Sequence, residues 1–335
     1  MNIIVFLPNW IGDVIMSLPF LKQLEEKTPN NSVTILGQNW SEDILMQTKF
    51  QYNYNLILYD RTNYKTLKGF YNLIKQIKKK NFTHGFVLAE SLSSALLFML
   101  SNIPNRIGYA TQGRSVFLNN SIIKDNSFHR TQQFLSLLLN IATKPDLSMT
   151  PKGLIGDLSK RTNNKTFKIG MHAHSQASSR RWPTIYWIRL IKWCQKNNLK
   201  IILFGNKAAA EISTEIIRDA HNISVTDYCG KLSIKNSINK MKECNLFISN
   251  DSGPMHIAHA LGIPTIGIWG AGDKTETGMQ TEMGINLSAG AYCSPCIKNK
   301  CTNNREPMLC LNSIVPEMIF NQIKYYQAHG TFNNI

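Results

Sequence analysis

Short apolar runs alternate with amphipathic stretches, and the alternation occurs twice along the chain, which restricts it to two α/β units in series. In the first half, residues 3–7, 33–36, 56–58 and 85–89 are apolar and short enough to be buried parallel strands, with helical stretches at 14–27 and 67–80 between them. The pattern fades in a polar stretch over 153–168, where Lys160, Arg161 and Lys165 sit among Thr and Asn, and a linker is expected there. It then restarts: strands at 169–173, 200–204, 246–249 and 265–269, helices at 184–196, 208–220 and 253–261. At 335 residues the chain is past the size that one hydrophobic core usually serves. The expected division is a first Rossmann-like domain over 1–155, a second over 166–315, and a helix within 316–335 that returns to the first.

Composition narrows the setting. The longest apolar run, 95–100, falls far short of the ~20 residues that cross a bilayer. The N-terminus is apolar but has no basic leader, and the acidic Asp13 comes soon after it, so a first strand is expected rather than a signal peptide. Seven cysteines, an odd number, suit a reducing compartment, and the expected location is the cytoplasm. The net charge of +16 calls for acidic partners, and it is shared between the halves, +6 before residue 151 and +10 after it. A basic run at 75–80 reads either as a solvated helix end or as a patch for an anionic membrane surface.

Three segments carry chemistry. At 246–261 a buried strand runs into a helix through Asn250, Asp251, Ser252 and Gly253, residue types suited to caps and tight turns. The helix start offers N–H groups and a positive dipole end to a pyrophosphate, with His256 one turn further on. The same residues could simply cap a helix. Near the N-terminus Asp13 follows the first strand, where a carboxylate can take a proton from a sugar hydroxyl or merely favour the helix dipole. After the strand at 169–173 comes a loop of small polar residues ending in Arg180, Arg181, Trp182 and Pro183, whose guanidinium groups can neutralise a diphosphate. No Asp-x-Asp pair is present to hold a divalent cation against a nucleotide.

Together with Phe204-Gly205, Glu211 and the run from Gly230 to Ser233, these segments resemble, in order and spacing, the ADP-heptose:lipopolysaccharide heptosyltransferases, glycosyltransferase family nine. Residues 8–13 and 103–109 are similar to the second heptosyltransferase of inner-core assembly. The resemblance implies a GT-B fold, two Rossmann-like domains whose parallel sheets face a central cleft. It also implies inverting transfer of L-glycero-D-manno-heptose from ADP-heptose to a heptose of the lipid A-core. On this reading Asp13 is the general base, and Arg180 stabilises the departing ADP from the position where the family usually has a lysine. Arg181, Glu211, Asn250, Asp251, Ser252, Gly253 and His256 would surround the nucleotide-sugar. No cofactor is required for catalysis, the inner membrane's anionic face is a peripheral partner, and nucleic acid is not.

An acceptor surface is expected in the first domain at Ser91, Arg106, Tyr109 and Arg114, with His129 and Arg130 adding positive charge for phosphates. Cys293, Cys296, Cys301 and Cys310 fall close enough in sequence to hold a structural zinc, to form a disulfide, or to stay as thiols. The same cluster and the +16 charge prompt an alternative, a zinc-containing nucleic-acid-binding protein, although no helix-turn-helix or RNA-binding signature accompanies them. A relative with another nucleotide-sugar or core acceptor is the other alternative. A nicotinamide-dependent oxidoreductase lacks its Gly-x-Gly-x-x-Gly after any expected strand.

Overall fold

A computed structural model describes residues 1–48, 54–141, 144–156, 166–220 and 224–333. The chain divides into two compact units, Met1–Leu154 and Ile155–Ile335. Most of the expected linker, 157–165 with its basic run, lies outside the described residues.

Among the described residues the first unit holds six strands: β1 (Asn2–Phe6), β2 (Ser32–Gln38), β3 (Asn55–Tyr59), β4 (His84–Val87), β5 (Asn105–Tyr109) and β6 (Asn120–Ile122). They pair in parallel in the order β3-β2-β1-β4-β5-β6. Ile3, Ile4, Val5 and Phe6 are all buried, because β1 lies in mid-sheet with both faces covered, so it reads as an unbroken apolar run. The helix Leu67–Lys78 shows the other pattern. Leu73 and Ile77, four apart, turn inward, and the Thr66 hydroxyl caps its start by accepting the Gly69 N–H.

The second unit repeats the plan with β7 (Lys168–His172), β8 (Lys200–Leu203), β9 (Val225–Asp227), β10 (Leu246–Asn250), β11 (Thr265–Trp269) and β12 (Gly284–Ser288), again parallel, in the order β12-β11-β10-β7-β8-β9. This is the first unit's order written from the other end. Each sheet therefore reverses direction once, between β1 and β4 and between β7 and β10. In open α/β sheets ligands bind beyond the carboxyl ends of the strands at that reversal.

The last helix, Pro316–His329, belongs to the second unit. Its Ile319 and Ile323 are buried in that unit's core, and it packs on the helix Thr184–Lys196, where Trp193 and Phe320 stack. Where the sequence suggests a return to the first domain, the helix's apolar stripe finds its cover within its own unit.

Candidate active site

Each chemistry-bearing segment leaves a carboxyl end at one of the two reversal points. In the first unit, β1 ends at Phe6 and the chain turns into the helix Ile11–Lys27, placing Asp13 in its first turn. Next to it, the continuation of β4 donates the Leu88 and Ala89 N–H groups to Phe6 O and then delivers Glu90. The Glu90 carboxylate pairs with Arg130 at 2.8 Å (Oε1 to Nη1) and with Lys124 at 3.2 Å, while Arg130 Nε stands 4.0 Å from Asp13 Oδ1. Ser91 caps the following helix Leu92–Leu100 by accepting the Ser94 N–H, and so lies at the same carboxyl edge.

The other expected acceptor residues do structural work. Arg106 is near the amino end of β5, with its guanidinium donating to Phe117 O at 2.7 Å and Ile103 O at 2.6 Å. Tyr109 is buried and its hydroxyl donates to Gln133 O, with Ser136 Oγ at 2.7 Å. Arg114 is fully buried; it donates from Nε to Tyr109 O at 2.7 Å and from Nη1 to Ala89 O. Burial pushes it down to about 10, with Glu90 acting in the opposite direction. Arg114 thus ties the carboxyl ends of β4 and β5 together beneath Glu90, a role set by carbonyls remote in sequence.

In the second unit β7 and β10 form the equivalent edge. At the carboxyl end of β7, His172 is buried, with Nδ1 2.8 Å from Phe204 O, and burial pushes its imidazole pKa down to about 4. The loop after it is built from several directions. Arg181 Nε donates to Ser175 O at 2.7 Å, Ser175 Oγ donates to Asp251 O at 3.1 Å, and the Trp182 N–H donates to Asn250 Oδ1 at 3.0 Å. Arg180 Nη1 comes within 3.1 Å of Asp251 Oδ2 as an ion pair rather than an aligned hydrogen bond. Asp251 is buried and Arg180 partly exposed, so the guanidinium keeps a face for a ligand.

Gly272 backs this pair, since a Cβ there would collide with Asp251 Oδ2. Ser252 opens the helix Gly253–Ala260 without capping it; its hydroxyl donates instead to Asn250 O at 3.1 Å. His256 is buried in the same helix. Glu211 is exposed on the helix Lys207–Ala220 that comes after β8. A small cleft lined by His174, Phe204, Ala209 and Cys229 opens between that helix and β7. Burial, and then the positive Arg181, lower the His174 pKa.

The chain therefore presents, in its second unit, guanidinium groups and an uncapped helix start at the point where an α/β sheet binds phosphates. The family model for glycosyltransferase family 9 (heptosyltransferase) matches residues 70–306. The chain belongs to glycosyltransferase family 9. Within the family it is similar to lipooligosaccharide heptosyltransferase 2 of Campylobacter jejuni, 28% identical over 331 residues, which span 97% of this chain and 98% of the relative. Its fold is similar to that of Escherichia coli ADP-heptose lps heptosyltransferase II (TM-score 0.80, 19% identity, 98% and 99% of the two chains). It is likewise similar to E. coli heptosyltransferase WaaC with ADP-2-deoxy-2-fluoro heptose (0.74, 15%, 97% and 99%). These fold similarities bear out the GT-B class expected from the sequence, and the nucleic-acid-binding alternative has no support.

The four clustered cysteines are free thiols in the segment beyond β12. Among the described residues no three His, Cys, Asp or Glu side chains stand where they could share a metal ion. This segment braces the arginine loop. Ser178 Oγ and the Ser179 N–H donate to Asn299 O at 3.2 and 3.3 Å, Ser179 Oγ donates to Lys298 O, and the Ile297 N–H donates to Ala271 O at 2.8 Å. Sequence reasoning missed Glu90, Lys124, Gly272 and this brace. Only the first had a local signal, an acid just beyond a buried strand.

Proposed function

We propose that this family 9 enzyme moves L-glycero-D-manno-heptose from ADP-heptose to a heptose hydroxyl of the lipopolysaccharide inner core, with inversion at the anomeric carbon. Asp13 accepts the proton of the acceptor hydroxyl, and the oxygen bonds to the anomeric carbon as the bond to the diphosphate breaks. The electron pair leaves with ADP, whose charge is met by Arg180, Arg181 and the helix start at Ser252 without assigning a divalent cation a part. The single observation that carries the reading is the convergence of Arg180, Asp251 and the open start of Gly253–Ala260 at one reversal point. Glu211, exposed on the helix Lys207–Ala220 beyond β8, is assigned to the nucleoside.

The test is to incubate the protein with ADP-heptose and lipid A-core acceptors of defined length and weigh the products. An added heptose on a heptose-terminated acceptor is expected; no mass gain on any acceptor would sink the proposal. Asp13→Ala should abolish transfer and leave ADP binding in place.

No described helix is long and apolar enough to cross a membrane. A lipid-linked acceptor still brings an anionic surface within reach. The helix Leu67–Lys78 exposes Leu67 and Tyr71 beside Lys75 and Lys78, with Lys79 and Lys80 just beyond. Neutralising these lysines should weaken sedimentation with vesicles containing phosphatidylglycerol.

A further inference from the structure

The ion-pair chain at the first unit's reversal point is more than surface charge. Arg130 is the first residue of the helix Arg130–Ser136, a position where the helix dipole disfavours a cation. The backbone nevertheless fixes it there. His129 Nδ1 accepts the Thr131 N–H at 3.2 Å, and Gln132 Oε1 accepts the His129 N–H at 3.0 Å, so the turn that carries Arg130 is capped from both sides. The helix also packs along Ile11–Lys27, whose first turn holds Asp13. Two carboxylates from different segments face the one guanidinium, and they face it differently. Glu90 takes a hydrogen bond at 2.8 Å and is itself held by Lys124 at 3.2 Å; Asp13 stands at 4.0 Å, within charge attraction but beyond a hydrogen bond. Tyr109 and Arg114 fasten the carbonyls of Gln133 and Ala89 on either side of this group.

From this we propose that Arg130, anchored by Glu90, is a positioning residue for Asp13. It fixes the carboxylate's place without itself consuming the oxygen that must take a proton. The inference rests on Asp13 being the base. It differs from the sequence-based expectation for Arg130, a contact to acceptor phosphate, because the guanidinium is directed at two carboxylates of its own chain.

The experiment is steady-state kinetics with ADP-heptose and a heptose-terminated core acceptor for Arg130→Met, Arg130→Lys, Glu90→Gln and Asp13→Asn, with a thermal melt of each. Misplacing a reacting group by about 1 Å costs on the order of 100-fold, so Arg130→Met should lower kcat about 10- to 100-fold while KM for both substrates stays within about twofold of the parent. Arg130→Lys should recover part of kcat, and Glu90→Gln should reproduce a smaller loss. A raised acceptor KM with unchanged kcat would make Arg130 a phosphate contact and overturn the proposal. So would wild-type kcat in Arg130→Met when Asp13→Asn is inactive, and that outcome leaves the base assignment standing. Full turnover by Asp13→Asn would remove the base assignment and this inference together. Should Arg130→Met prove unfolded, Glu90→Gln and Arg130→Lys decide by the same split between kcat and KM.

Discussion

Arg180 Nη1 lies 3.1 Å from Asp251 Oδ2, joining the loop after β7 to the turn after β10 through one ion pair. Asp251 is almost wholly buried there, and Arg180 brings positive charge to it. Replacing the arginine leaves a buried carboxylate with less compensation and removes a charge-assisted donor to phosphate, worth about 1.5–3 kcal/mol. Arg180→Met should therefore weaken ADP binding roughly 10- to 100-fold, whereas Arg180→Lys should retain part of it. Isothermal titration with ADP measures both.

Gly272 leaves room for that carboxylate. An alanine methyl would occupy the position of Asp251 Oδ2, so Gly272→Ala must push the Asp251 side chain, the Arg180 pair, or both. Overpacking of this kind costs about 1–3 kcal/mol. Both the melting temperature and ADP affinity should fall. A variant with unchanged ADP affinity would show that Asp251 does not set the position of Arg180.

Arg114 should behave as a scaffold. Its substitution by methionine removes one donor from Ala89 O, which keeps the Ser94 hydroxyl, and one from Tyr109 O, which keeps the Thr111 N–H, at about 1 kcal/mol for each hydrogen bond lost. The expected result in a denaturant titration is a lower midpoint. Acceptor KM should stay near the parent value in the protein that remains folded.

His172 predicts a pH effect on stability. Its folded pKa, about 4, lies below the ordinary value of 6.5 because burial penalises the charged ring. Between those values the unfolded chain binds the extra proton, so this contribution is complete above about pH 6.5 and is lost as pH falls towards 4. At about 1.4 kcal/mol per unit, up to roughly 3 kcal/mol is at stake. Urea melts from pH 7 to 4 should show that slope, and His172→Phe should flatten it. An equal slope in the variant would assign the effect to other groups.

Much of this was legible in the sequence because a strand covered on both faces must be apolar throughout. β1, β7, β10 and β11 announce themselves in that way, and so do the turns at their carboxyl ends. The edge strands β6 and β9 do not: each has three residues with little burial, and Asn120 and Ser121 or Thr226 and Asp227 leave no apolar run to notice. Asp13, Arg180 and Asp251 could be singled out because each sits just past a strand. The partnership of Asp13, Glu90 and Arg130 could not, since three separate segments supply it and no local pattern records which residues meet. The partners of Tyr109 and Arg114 are hidden for a related reason. A polar side chain in a plausible loop gives no sign that its partners are backbone carbonyls far along the chain.

The brace between the cysteine-bearing segment and the arginine loop uses the main-chain oxygens of Lys298 and Asn299. Such acceptors are offered by every residue type, so the side chains at 298 and 299 are at liberty to drift over evolutionary time while the loop keeps its anchor. The part that cannot drift is the tally of residues between Ile297, which is fastened to Ala271, and the carbonyls that receive Ser178 and Ser179. A one-residue insertion there would shift both acceptors out of register, which makes this short stretch tolerant of substitution and intolerant of changes in length.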